Sequence, residues 1–224
     1  MANRIPRSEF NRRFDLPNWR VIGHTITTDF ACGDFGAGAE FVRQIASLAD
    51  DADHHPDLDL RYPGTVRVSI TSHDAHGLTS RDAALASAID EFACTRNLAG
   101  NPAKLASVEI AIDAMNIESV LPFWKAVLGY VEEAPANVGD RVDSLVDPGH
   151  RGPTVWFQQM DAPRHQRSRT HIDVRVPHDE ADALIARALD AGGRLLTDAY
   201  ARAFWVLADP EGNEACVCTW QDRD

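Results

Sequence analysis

Asp50-Asp51-Ala52-Asp53-His54-His55-Pro56 is the stretch on which the reading of this chain turns. The residues before it form a helical pattern from Phe35 to Asp51, where Gly38, Val42, Ile45 and Ala49 recur along one stripe with Phe41 and Leu48 beside them. That is the 3.6-residue period of a helix with one buried face. Pro56 cannot continue a helix and pushes His55 toward extended backbone, so both imidazoles are expected at a helix carboxyl end. There, unpaired carbonyls and three aspartates stabilise an imidazolium, a setting suited to proton donation.

Working outward, Val66, Val68 and Ile70 alternate with Arg67 and Ser69, which predicts a strand with one buried face. The full order expected for the first hundred residues is a short helix, two strands around Trp19 to Phe30, the 35–51 helix, two strands around Leu58 to Ser72, and a helix from Thr79 to Arg96. This is an α+β pattern. His73 follows the second strand pair and opens the loop into the last helix. That helix begins Thr79-Ser-Arg-Asp82, so Asp82 reads as a capping acid. It also lies in register with Leu85, Ala86, Ile89 and Phe92, which aims its carboxylate along the apolar stripe, where an acid needs a partner.

Taken together, these residues resemble the pterin-4a-carbinolamine dehydratase family. The shared marks are Asp50, His54-His55-Pro56, Tyr62, Ser72-His73 and Asp82, with Trp19 before the first strand and Gly77-Leu78-Thr79 before the last helix. The resemblance covers roughly residues 15 to 95. It implies a four-stranded antiparallel sheet with helices on one face, assembly into a homo-oligomer, and dehydration of a 4a-hydroxytetrahydropterin to the quinonoid dihydropterin. By the same resemblance no cofactor is required: His54 and His73 would serve as general acid and base, His55 would assist, Asp82 would orient an imidazole or contact the pterin, and Asp50, Pro56 and Tyr62 would help bind it. Pro63-Gly64 makes the interval from Tyr62 to His73 one residue longer than in animal members.

Gly100, Asn101 and Pro102 stop the last helix and mark a boundary near residue 103, giving expected domains of 1–100 and 106–224. Beyond it one pattern occurs twice. Val108-Glu-Ile-Ala-Ile112, a helix from Ser119 to Leu128, Gly129 and strands to Met160 form the first copy. Thr170-His-Ile-Asp-Val174, a helix from Asp179 to Leu189, Gly192-Gly193 and strands to Cys218 form the second. Glu109 falls on His171 and Ile110 on Ile172, which indicates a tandem βαβββ pair. With Phe123-Trp124 and Asp209-Pro-Glu-Gly-Asn213, this half resembles the glyoxalase and bleomycin-resistance (vicinal oxygen chelate) superfamily. The resemblance implies metal-ligand positions at Glu109, Gln158, His171 and Cys216, with Glu214 as a substitute for Cys216. Glu109 and His171 are acceptable ligands of a divalent metal, whereas the set as a whole suits no common site. A metal-free pocket is the other reading of this half, and an activity seated here is the alternative to dehydratase function.

The bulk properties of all 224 residues narrow the partners. Twenty-two basic against 34 acidic side chains give a net charge of −12, which opposes binding to phosphate backbones and excludes nucleic acid as a partner. Neither half hides a basic domain, since the first hundred residues hold 10 basic and 14 acidic side chains and the remainder 12 and 20. No apolar run approaches the ~20 residues of a membrane span, and the arginine-rich start has no apolar stretch behind it. The four cysteines show no C-x-x-C pair, which fits a reducing compartment. The expectation is a cytoplasmic enzyme acting on a small-molecule pterin.

Overall fold

The alternation through Val66, Val68 and Ile70 becomes a central strand whose three apolar side chains are fully buried. The first unit runs α1 (Arg7–Arg13), β1 (Arg20–Ile22), β2 (Thr25–Ala31), α2 (Phe35–Ala52), β3 (Asp57–Arg61), β4 (Thr65–Ile70), a single 3-10 turn at His73–Ala75, and α3 (Ser80–Thr95). Its strands form an antiparallel sheet in the order β1-β2-β4-β3. Ile26 and Phe30 of β2 and the three residues of β4 meet Phe10 of α1, Phe41 and Ile45 of α2, and Leu85 and Ile89 of α3 in one core. The helices therefore cover one face, and the other carries polar pairs such as Asp29 with Arg67, bonded in two places at 2.8 and 2.9 Å.

The computed structural model describes residues 4–133, 143–163, 166 and 169–222 and divides into units Met1–Ser107 and Val108–Asp224. Two glycines of the first unit matter for packing. A methyl group at Gly38 would lie 2.5 Å from Leu60 Cδ1, so its absence lets α2 sit close on β3. One at Gly64 would lie 2.2 Å from the Asp34 carbonyl oxygen, so in the Pro63-Gly64 turn position 64 admits only glycine.

In the second unit the repeat is realised twice: β5 (Glu109–Ala114), α4 (Ile117–Leu128), β6 (Val131–Glu132), β7 (Ser144–Val146), β8 (Thr154–Gln159), then β9 (Ile172–Arg175), α5 (Ala181–Asp190), β10 (Arg194–Thr197), β11 (Phe204–Ala208), β12 (Glu214–Cys218). The sheets are ordered β5-β8-β7-β6 and β10-β11-β12-β9, and in each the first strand of the repeat pairs in parallel with its last. α4 starts two residues before the expected Ser119, because the Asn116 side chain caps it by accepting from Ser119 N.

The two sequence motifs of this half meet physically. Trp124 Nε1 donates to the fully buried Asp209 at 3.0 Å, and Asp209 also accepts from the backbone of Glu211 and Asn213 and from the Asn213 amide. Glu211 in turn accepts from the Met115 and Asn116 backbone nitrogens at the start of α4. Gly193 leaves room for the Phe123 ring, which a methyl group there would meet at 2.4 Å. Side chains of one repeat thus lock the turn of the other. Among the described residues no helix is long and apolar enough to cross a membrane.

Candidate functional site

His54 is placed by the way α2 ends. Asp53 takes a left-handed conformation at φ 46°, the chain reverses, and the His54 nitrogen returns to the Ala49 carbonyl at 3.1 Å. Pro56 then leads into β3, whose register pairs Asp57 with Ser69 of β4. Continued past the strand ends, that register brings residues 54–56 alongside 70–72. There the backbone of Ser72 exchanges hydrogen bonds with Gly77, closing a small loop whose single turn carries His73.

Asp82 joins the two segments. Its carboxylate has no solvent exposure. Oδ1 pairs with His54 Nε2 at 2.9 Å, and the imidazole side chain is itself only 8% exposed. Oδ2 accepts from the Ser72 hydroxyl at 2.9 Å, from the Thr79 nitrogen at 2.6 Å and from the Thr79 hydroxyl at 3.1 Å. The capping-acid reading and the core-facing reading of Asp82 are therefore both true: one oxygen closes the capping box of α3 and the other holds an imidazole. With the carboxylate as acceptor, the ring hydrogen is assigned to His54 Nε2, which leaves Nδ1 for proton exchange. A second tie fixes the His73 loop, because Asp74 accepts from Arg81 of α3, and this guanidinium holds the Asp74 carboxyl below its usual range.

The remaining expected residues are arranged in smaller groups. His55 is exposed and pairs with the equally exposed Asp50 at 3.0 Å. His73 is exposed at the loop start and Pro56 is half-buried. Tyr62 is 89% exposed at the far end of β3, seven residues or about 23 Å of extended chain from His55, so the structure does not bring it to the histidines. Ser72 and Thr79, buried within the same network, were legible in the sequence only as a motif residue and a helix cap.

In the second unit the metal-capable group among the described residues is His171, Asp173 and Cys216, whose donor atoms lie within 4.8 Å of one another. His171, just before β9, and Asp173 within it lie with Nε2 3.3 Å from Oδ1, and both are about half exposed. Cys216 of β12 is directly opposite Asp173 in the parallel register and is buried. Its thiol is pushed up to about 11, first by burial and then by the neighbouring Asp173, Cys218 and Glu214. Glu109 contributes no atom to this group. It pairs with Thr154 while Gln158 pairs with Asp113, four register steps or about 13 Å along the strands, so those two expected ligands do not converge. One nitrogen, one oxygen and one sulfur donor with an open outer side fit a divalent ion that tolerates mixed ligands. Asp173 was missed because it reads as the polar alternate of a half-buried strand.

Both units are similar to known proteins. Residues 3–92 match the family described as Pterin 4 alpha carbinolamine dehydratase, and residues 109–218 match the Glyoxalase-like domain. A protein of Chloroflexus aurantiacus carrying the name pterin-4-alpha-carbinolamine dehydratase is 48% identical over 76 residues, covering 34% of this chain and 81% of the relative. Among solved structures, a transcriptional coactivator/pterin dehydratase from Brucella melitensis is 31% identical, spans 41% of this chain and 99% of its own, and superposes with a TM-score of 0.37. A glyoxalase/bleomycin resistance protein/dioxygenase family enzyme from Burkholderia phytofirmans is 19% identical, spans 51% of this chain and 98% of its own, with a TM-score of 0.41.

Proposed function

Because the chain belongs through its first unit to the pterin-4a-carbinolamine dehydratase family, with a glyoxalase-like domain following it, we propose that it dehydrates a 4a-hydroxytetrahydropterin by histidine acid–base catalysis. The reaction breaks the C4a–oxygen bond. The departing hydroxyl takes a proton from one imidazole and leaves as water, while a ring nitrogen gives its proton to another, yielding the quinonoid dihydropterin. Such steps need proton donors and acceptors held around a flat heterocycle, each worth about 10²- to 10⁴-fold in rate.

The observation that carries this reading is the buried His54–Asp82 pair, whose carboxylate also binds Ser72 next to His73. It fixes the His54 ring in one orientation and one tautomer. His54 and His73 are assigned the acid and base work, His55 with Asp50 supplies a further imidazole at the rim, Pro56 stiffens the segment between them, and Asp82 positions His54 without touching the substrate. As in the family, the working form is proposed to be a homo-oligomer. The test is turnover of a 4a-carbinolamine: His54→Ala and His73→Ala should each slow dehydration at least about 100-fold, and unchanged rates in both would reject the assignment.

A second reading places an additional activity or binding function in the residue 109–218 domain, favoured by the convergence of His171, Asp173 and Cys216. A divalent ion held there would supply Lewis-acid polarisation of a bound oxygen.

A further inference from the structure

We propose that Arg4, Arg7 and His24 form a subsite for a phosphate monoester carried on the side chain of the pterin substrate, beside the His73 loop. The inference rests on the dehydratase reading and narrows it to one class of substrate. The three residues line a cavity of about 220 Å³ together with the Gly77–Leu78 end of that loop. This is below the ~300 Å³ at which sites begin to enclose a whole small ligand, so the cavity suits a terminal group and not a bicyclic ring.

Sheet register sets the cavity next to the histidines. β2 pairs Ile26 with Ile70 of β4, and β3 pairs Asp57 with Ser69. Continued past the strand ends, these registers bring His24 and His54 to opposite sides of Ser72. The Thr71 hydroxyl, donating to the His24 carbonyl at 2.9 Å, shows the first of these approaches directly. The backbones at His24 and His54 therefore lie about two strand spacings, or roughly 10 Å, apart, with the His73 loop leaving from between them. A bicyclic ring with a short side chain covers that distance.

Backbone contacts hold the cationic groups in place. Ile5 is buried, and its nitrogen donates to the Leu78 carbonyl at 2.7 Å, tying Arg4 to the loop. Gly77 leaves room for the Arg4 side chain, whose Nε a methyl group there would meet at 2.8 Å. Arg7 Nη1 donates to the Gly23 carbonyl at 3.2 Å, next to His24.

The charge pattern calls for an anion. In a chain of net charge −12, Arg43, Arg67, Arg81 and Arg202 each pair with a carboxylate. Among the described residues Arg4 and Arg7 pair with none, and no acid lines the cavity; Asp74, the acid of the loop, is bound by Arg81 instead. Two guanidinium forks and an imidazole, brought together from separate segments, match the several oxygens of a dianionic phosphate through charge-assisted bonds.

The test compares, with the full-length protein, a 4a-carbinolamine whose side chain ends in a phosphate monoester and the same compound without the phosphate. The phosphorylated substrate should show a kcat/KM about 10-fold higher or more, expressed mainly in KM. In Arg4→Gln/Arg7→Gln, at exposed positions, that ratio should fall toward 1, and Arg4→Lys/Arg7→Lys should restore part of it. Inorganic phosphate alone should compete only at concentrations about 100-fold or more above that KM, because it lacks the linked ring. Turnover of both substrates at equal kcat/KM, a preference that survives Arg4→Gln/Arg7→Gln, or equal affinity for inorganic phosphate would overturn this subsite alone. Turnover of neither substrate would overturn the dehydratase reading and the inference with it.

Discussion

Replacing Asp82 with asparagine keeps the side chain's shape and removes one acceptor, which makes it the sharpest probe of the first unit. In the native protein one carboxylate oxygen serves His54 and the other serves Ser72 and Thr79. An amide has only one acceptor oxygen. If it keeps the Thr79 and Ser72 bonds, its NH₂ group faces His54 Nε2–H, donor against donor, and the ring must move its hydrogen to Nδ1 to recover a bond. Losing a buried charge-assisted hydrogen bond costs about 1.5 to 3 kcal/mol, so Asp82→Asn should destabilise the first unit by about that amount. Asp82→Ala forfeits the helix cap as well and strands several buried donors, for a total of roughly 3 to 5 kcal/mol. Dehydratase turnover of the asparagine variant should fall about 10²- to 10⁴-fold, because the proton sits on the wrong ring nitrogen. Urea denaturation, a 4a-carbinolamine assay and nitrogen NMR of the His54 ring read the three effects separately. A variant that unfolds at the native urea concentration, turns over normally and keeps hydrogen on Nε2 would refute the reasoning.

Other consequences are open to direct measurement. Asp209→Ala should lower the stability of the second unit by about 3 to 5 kcal/mol, since it leaves the Trp124 indole and the Asn213 amide without their buried acceptor; a loss under 1 kcal/mol in calorimetry would contradict this. Alkylation of ion-free native protein at pH 8 should modify the exposed Cys94 well before Cys216, because a thiol at about 11 is thiolate in only about one molecule in a thousand at that pH; equal labelling rates by mass spectrometry would speak against it. The same shift sets a pH trend: folding raises this thiol above its ordinary 9.0, the unfolded chain ionises first, and the ion-free protein should lose stability as pH rises from 9 toward 11 and show no such loss near neutrality. Midpoints of denaturation across that range provide the check. Arg67→Gln should cost about 1 kcal/mol by leaving Asp29 without its cross-strand partner, and an unchanged midpoint would show the pair to be idle.

Much of this architecture was legible because its signals are local. The apolar stripe and Pro56 bounded α2 within a residue of its observed end, the Thr79-x-x-Asp82 cap gave the start of α3, and the duplicated pattern gave both βαβββ repeats. Contacts between distant segments were legible only as resemblance. Nothing in the spacing of Trp124 and Asp209 says that an indole nitrogen meets a carboxylate across 85 positions. Asp173 hid for a related reason: on an alternating strand a charged residue between Ile172 and Val174 looks like ordinary solvent facing, and only the strand opposite reveals its neighbour. Tyr62 was named by resemblance alone, and β3 sets it at the opposite end of the strand from His55.

One feature of the second unit reaches further than the site it frames. Each repeat sets its own first and last strands side by side, so among the described residues the backbone ladder of either half is finished without its twin. What passes between halves is one shared apolar core and a handful of specific side-chain attachments: an indole to a carboxylate, an acid to a helix start, a phenyl ring over a glycine. Such fastenings can be satisfied by a half from the same molecule or from another, so the covalent tether supplies the local concentration that favours the internal match.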